Sequence, residues 1–275
     1  MPPAASAFTK VPASSLFVSE PNPTWFGNPS KNGGAGWDEK NWLKSRFHFS
    51  FAEYSHGKPN FGCLRVMNDD RVQPSRGFGT HGHANMEIVT YVVEGELTHK
   101  DTMGTAETLG RGSVQFMTAG TGVQHSEFNH SPDKPLRFIQ MWVMPTARGL
   151  SPNYGSATTT PEARRNRWCH MVTGVGSPAA GGPDSPVLIN QDCNFFVAEV
   201  DAGGALAFEV KQGRQAYVLC VEGAADVKHG ETGGAGAADA LERHDGCEVI
   251  GPRSLNFAAR ADGAHILVVE MAERR

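Results

Sequence analysis

The sequence predicts an all-β chain built as two antiparallel β-barrel domains of jelly-roll type. Three observations carry that expectation. Thirty-two glycines and 17 prolines among 275 residues punctuate short aromatic and β-branched runs, the composition of many strands joined by tight turns. Helical periodicity is nearly absent, whereas period-two alternation recurs. A pattern in the first half also returns in the second. Tyr91-Val92-Val93-Glu94-Gly95 is echoed by Tyr217-Val218-Leu219-Cys220-Val221-Glu222-Gly223, and Arg111-Gly112-Ser113-Val114 by Asp245-Gly246-Cys247-Glu248-Val249, the mark of a duplicated unit.

Met1 to Val18 is rich in alanine, serine and proline, with no acidic residue and no arginine. The missing arginine favours a flexible tail leading into a first strand over an organelle transit peptide. Glycine-rich linkage from Asn28 to Gly36 precedes a short turn or helical piece over Trp37 to Lys44. Phe47, Phe49 and Phe51 alternate with His48, Ser50 and Ala52 as a strand with one buried face. Leu64 to Met67 is a strand that Asn68-Asp69-Asp70 should end, since these side chains bond their own backbone in turns.

After the strand that carries His81, Glu87 to Val93 is almost wholly apolar and turns at Glu94-Gly95 into a returning strand, Glu96 to Lys100. Gly110 and Gly112 turn the chain into Val114 to Met117, with Val123 to Phe128 as its mate. A Ser131 to Pro135 loop leads to Leu136 to Met144. About eight antiparallel strands in two facing sheets fit this cadence. The expected organisation is a metal-binding domain over 1–144, a linker over 145–165 with a helical turn near Glu162 to Asn166, and a second domain over 166–275. Gly230 to Ala240 reads as a surface loop.

Residues i and i+2 of a strand share a face, so His81 with His83 and His125 with Glu127 form two pairs, each aimed one way. Brought onto neighbouring strands, three imidazoles and a carboxylate converge. Such nitrogen and oxygen donors suit a divalent transition metal rather than calcium or magnesium. The second copy lacks this chemistry: the Val-Glu-Gly alignment sets Glu209 and Lys211 against His81 and His83, and no histidine lies between Asp245 and Ala264. The remaining histidines, His48, His56, His99, His130, His170, His229, His244 and His265, read as structural.

Composition removes several function classes. A formal charge of -4 with no basic run gives no footprint for nucleic acid as a direct ligand. No apolar segment approaches the roughly 18–20 residues of a membrane helix. Five scattered cysteines without a CxxC pair read as reduced thiols of the cytosol or nucleus. There is no GxSxG elbow, no P-loop and no GxGxxG after a strand.

The two motifs, Gly77-Phe78-Gly79-Thr80-His81-Gly82-His83-Ala84-Asn85-Met86-Glu87 and Thr118-Ala119-Gly120-Thr121-Gly122-Val123-Gln124-His125-Ser126-Glu127-Phe128-Asn129, resemble the paired signatures of the cupins. Asn41 to Tyr54, Leu64 to Val72 and Met141 to Pro145 with Arg148-Gly149-Leu150 bring the resemblance to the pirin family in particular. Gly82 departs from it, since pirins commonly carry proline there; the change loosens the backbone and removes no ligand. The resemblance implies a bicupin and a mononuclear metal site with Glu127 as its carboxylate. Iron(II) is the expected ion, with zinc, nickel, manganese, cobalt and copper as alternatives. In many cupins the residue matching Glu87 binds metal; here it is expected behind the ligands, as is Asn129.

Two activities follow from the resemblance. One is a quercetinase-type dioxygenase that opens a flavonol ring with O2, with Glu127 also taking the flavonol hydroxyl proton. The other is a metal-dependent regulator that binds transcription factors. For either, the cysteines make the cytoplasm the expected location, with the nucleus as the alternative.

Overall fold

The computed structural model describes residues 7–22, 24–28, 41–177, 187–231 and 236–273. The expected glycine-rich linkage and the start of the turn after it fall on 29–40, outside the described residues. The chain is nearly all strand. In the first half run β1 (Phe8–Val11), β2 (Phe17–Ser19), β3 (Leu43–Phe47), β4 (Leu64–Val72), β5 (Arg76–His83), β6 (Glu87–Glu94), β7 (Leu97–Asp101), β8 (Ala106–Leu109), β9 (Ser113–Thr118), β10 (Val123–Asn129), β11 (Leu136–Val143) and β12 (Asn153–Thr158). One helical turn, α1 (Pro161–Arg164), leads to the second half. There follow β13 (Cys169–Gly174), β14 (Val187–Ile189), β15 (Cys193–Val200), β16 (Ala205–Val210), β17 (Arg214–Gly230), β18 (Ala237–Glu242), β19 (Gly246–Ile250) and β20 (Arg253–Ala272).

The first half is a sandwich. A seven-stranded sheet, β12-β9-β6-β11-β4-β3-β2, faces a four-stranded sheet, β5-β10-β7-β8. The second half is a single nine-stranded sheet in which β17 and β20 pair along most of their lengths. Register shifts at Cys220/Glu222 and Gly223/Ala225 mark where that ladder bends. The Val-Glu-Gly echo has a backbone cause. Gly95 (φ +74°) and Gly223 (φ +66°) both sit in the left-handed region, and a Cβ would lie 2.4 Å from the Pro135 carbonyl oxygen and 2.1 Å from that of Gly263. Only glycine permits the chain to turn so close to its neighbour.

Period-two alternation gives the seven-stranded sheet two buried faces with different tasks. Val89, Tyr91, Val93, Val114, Phe116, Ile139 and Met141 point away from the four-stranded sheet and share one core with Phe195, Tyr217, Leu219, Leu267, Val269 and Met271 of the second half. Polar pairs pin this junction. Asp69 takes two hydrogen bonds from Arg137 (2.8 and 2.7 Å) and contacts Nδ1 of His244 at 2.6 Å, while Arg137 also donates to the Val221 carbonyl at 2.7 Å. Tyr91 Oη lies 3.0 Å from Nε2 of His265, whose Nδ1 meets Glu222 at 2.9 Å.

Several elements differ from the sequence expectation. Asn68-Asp69-Asp70 does not end a strand but lies inside β4, because each polar group finds a partner or a cavity across the sheet instead of bonding its own backbone. The alternating phenylalanine strand stops at Phe47; Phe51 makes only an isolated bridge to Tyr54. Within the expected linker, Asn153–Thr158 is a strand paired with β9, so the first half extends past residue 144. Phe8–Val11 pairs with β19, so the first strand belongs to the sheet of the second half. Of the expected Gly230 to Ala240 loop, Ala237 to Ala240 is strand.

Candidate metal centre

The other face of the seven-stranded sheet lines a chamber. Leu43, Val72, Val92, Leu136 and Phe138 close one end with Leu97 and Leu109; Ile88 and Met117 close the other with Val123. Between them a row of polar residues crosses the sheet in register: Gln115 opposite Thr90, Thr90 opposite Gln140, Gln140 opposite Asn68. Three of these four hold one carboxylate. Glu127 Oε1 accepts from Thr90 Oγ1 (3.2 Å) and Gln115 Nε2 (2.8 Å), and Oε2 from Gln140 Nε2 (2.9 Å). Burial nevertheless pushes its carboxyl up to about 7.

The histidines come from the small sheet. β5 and β10 are antiparallel neighbours with His125 opposite His81. Ring centroids of His81, His83 and His125 lie 4.6 to 4.9 Å apart, and one nitrogen from each falls within 4.8 Å of the others. Nε2 of His81 and Nε2 of His125 are 3.2 Å apart. The Gly79 carbonyl, 2.8 Å from Nδ1 of His81, holds a proton on that nitrogen and leaves Nε2 as the lone-pair side. Burial pushes all three imidazoles down, against the Gly79 hydrogen bond at His81; His83 falls to about 4 with His81 adding to it, and His125 to about 2 with His81, His83 and His99 adding to it. Neutral imidazoles in such a cluster are metal ligands in waiting.

Glu127 stands beside this trio rather than within it. A register shift separates His125 from Glu127 on β10, and the carboxylate closes to within 4.8 Å of His125 together with His99. His99 is the residue that sequence reasoning set aside. It lies opposite Glu127 in the β7–β10 ladder, fully buried, with its ring stacked on Tyr154 (4.4 Å) and Nε2 3.0 Å from Asp101. The signal was the spacing His99-Lys100-Asp101 before a turn, where Asp101 also caps the backbone of Met103 and Thr105.

Two expected supporting residues have other work. Glu87 accepts from Thr118 (2.9 Å) and Asn190 (3.1 Å), on the side of the sheet that faces the second half. It stands apart from His81 and His83 because β5 and β6 belong to different sheets. Asn129 donates to the carbonyls of Val72 and Lys134 and accepts from the Ser131 amide, which ties down the loop after β10.

A pocket of about 260 Å³ opens onto this cluster, touching His81, His83, Glu127 and Gln140. Its walls are aromatic: Phe26, Phe47, Phe51, Phe78 and Trp142. Phe26 packs edge-on against His81 at 5.4 Å, and Trp142 against His83 at 4.8 Å. Three neutral imidazoles and a nearby carboxylate at the wall of this pocket fit a divalent transition ion in donor type and charge. In the second half, no such group of histidine, cysteine and acidic side chains occurs among the described residues.

Comparison with known proteins agrees with this architecture. The pirin family model matches residues 31–143, and the model of a quercetinase C-terminal cupin domain matches 175–271. The quercetin 2,3-dioxygenase of Escherichia coli K12 is 47% identical over 185 residues, 66% of this chain and 75% of that protein. A pirin-like protein of Caulobacter vibrioides is 35% identical over 198 residues, covering 72% and 82%. The crystal structure of the bacterial pirin YhhW from Escherichia coli in complex with nickel(II) superposes with a TM-score of 0.76 at 25% identity, over 97% of this chain and all of that one. With both halves matched and the two-sheet sandwich carrying its histidine cluster, the chain belongs to the pirin family of two-domain cupins.

Proposed function

We propose that this pirin-family protein is a quercetinase-type dioxygenase, in which His81, His83, His125 and Glu127 hold a divalent ion, iron(II) foremost, and Glu127 is the base. The observation that carries this reading is the pocket: imidazoles and a buried carboxylate open into an aromatic-walled space suited to a planar ligand. The relatives named as quercetin 2,3-dioxygenases support the same substrate class. A bound ion would supply Lewis-acid polarisation of the flavonol oxygens and a seat for dioxygen. Phe26, Phe78 and Trp142 would hold the flavonol rings and keep bulk water out. Glu127, near neutrality in affinity for a proton, would take the hydroxyl proton, and Thr90, Gln115 and Gln140 would fix the carboxylate for that transfer.

A metal-dependent regulator would need the metal to act on an outer surface. The candidate ligands instead lie at a pocket, with His125 and Glu127 buried and His81 and His83 half-buried, which favours the enzyme. Five unpaired cysteines support a reducing compartment, cytoplasmic or nuclear. Metal analysis followed by oxygen uptake with quercetin tests the proposal. One equivalent of metal and flavonol-dependent uptake are expected. Fully iron-loaded protein that consumes no oxygen would overturn the enzyme reading and leave the regulator.

A further inference from the structure

The transverse row that holds Glu127 continues one strand beyond what the carboxylate uses. Asn68 is its fourth member, opposite Gln140 on β4, and the next inward residue of the strand, Asp70, lies opposite Ser45 of β3. All three line the pocket, and they are 3%, 4% and 1% exposed. Ser45 Oγ donates to Asp70 Oδ1. The Asn68 amide oxygen has no hydrogen-bond partner among the described residues, although a buried amide oxygen normally finds one. Strands are spaced about 4.8 Å apart, so Asn68 sits about one strand from Gln140 and Ser45 about two.

The fold does not require polar residues there. The Val-Glu-Gly echo equates Thr90 with Val218. Following the ladders outward, Val218 faces Val268 and Val268 faces Phe196, where the first half has Gln140 and Asn68. One row on, Ala198 stands where the first half has Asp70. Asp70 already accepts from Ser45, but a buried amide oxygen such as that of Asn68 costs stability unless something pairs with it. Here the missing partner is a hydrogen-bonding group on whatever fills the pocket.

We propose that Asn68, Asp70 and Ser45 form a hydroxyl-recognising subsite, so that the pocket selects planar aromatics with hydroxyls on a ring remote from the metal-facing edge. The subsite rests on the reading of this pocket as a flavonol site and names the subclass: polyhydroxylated flavonols over those with the 3-hydroxyl alone. A hydroxyl reaching Asn68 would donate to its Oδ1, and Asp70 with Ser45 would offer a further donor and acceptor.

The test is anaerobic tryptophan-fluorescence titration of metal-loaded full-length protein with quercetin and with 3-hydroxyflavone. Parent protein should bind quercetin at least about tenfold more tightly, the discrimination typical of a site built for a hydroxyl group. In Asn68→Leu that ratio should collapse toward one, whereas Asp70→Asn, which keeps hydrogen-bonding capacity, should retain most of it. Should Asn68→Leu fail to fold, as judged by thermal melting, Ser45→Ala reads the same ratio and should reduce it. A parent ratio near one, or a ratio unchanged in folded Asn68→Leu, overturns the subsite. The dioxygenase reading stands or falls separately. Asn68-dependent preference without oxygen uptake keeps the subsite and removes the dioxygenase, equal uptake with equal binding of both flavonols does the reverse, and binding of neither removes both.

Discussion

The two halves of this chain share a strand cadence and a Val-Glu-Gly turn, yet one row of side chains separates them chemically. In the first half Gln115, Thr90, Gln140 and Asn68 lie side by side across four strands. In the second half the matching ladder runs Cys247, Val218, Val268, Phe196. Three members of the first row, Gln115, Thr90 and Gln140, hydrogen-bond Glu127 beneath the histidine cluster. Three members of the second are fully buried and pack with Val227, Leu241 and Phe257 into a closed apolar core. A sandwich of this kind therefore becomes a chamber by substituting one transverse row and bringing histidines to the facing strands, with the turns left alone.

The largest effect that should break the contrast is loss of a histidine. His83→Ala leaves two imidazoles and the carboxylate, so stoichiometric metal binding should disappear in metal analysis after dialysis. Lys211→Ala, at the matching place in the second half, should leave metal content at the parent's level. Equal metal in both variants would contradict the assignment.

Next in size is Glu127→Gln. An amide oxygen can still coordinate weakly, so excess metal should restore occupancy, but an amide cannot accept the flavonol proton. At full occupancy turnover should fall by about 10² to 10⁴. Raising the pH should recover part of the rate, as more flavonol arrives ionised. Turnover at the parent's rate at neutral pH would end the base assignment while leaving the three histidines untouched.

The duplicated architecture and the histidine pairs were legible because period two and the HxH and HxE spacings are local signals. Three features were not. Asn68-Asp69-Asp70 looks like a turn because its partners, Arg137 on β11, Ser45 on β3 and His244 in the second half, are remote in sequence. Glu87 lies away from the ligands it is expected to support because the chain changes sheet between β5 and β6, which no local spacing shows. His99 was set aside because only the β7–β10 ladder brings it opposite Glu127.

The junction where the halves meet gives a smaller, pH-dependent effect. His48 is buried, with Nδ1 2.8 Å from the Tyr217 hydroxyl of the second half and Nε2 without a partner among the described residues. Burial pushes its pKa down to about 4, against the opposing pull of Asp69 and Asp245, while His244 and Arg46 add to the depression. Between about 6.5 and 4 the unfolded chain binds the proton more readily, so stability is full above that window and falls as the pH drops through it. The loss should total roughly 3–3.5 kcal/mol over the whole window. Urea titrations at pH 7.5 and pH 5 should show a smaller drop in His48→Gln than in the parent, and the same drop in both would refute the junction's role.

The smallest effect tests the apolar row directly. Val218→Thr keeps the shape of the side chain while placing in the second half the hydroxyl that Thr90 carries in the first. At Thr90 that hydroxyl donates to Gln140 (2.8 Å) and reaches Glu127 (3.2 Å). At position 218 the ladder neighbours are Cys247 and Val268, and the surrounding cluster is aliphatic and aromatic. The hydroxyl would lose its water without a comparable acceptor, which typically costs about 1–2 kcal/mol in proteins. The denaturation midpoint should fall accordingly with an unchanged m-value, and metal content should not change, since no candidate ligand lies nearby. A Val218→Thr protein as stable as the parent would mean that the core of the second half accommodates polar groups. The difference between the halves would then rest on the histidines alone rather than on the row beneath them.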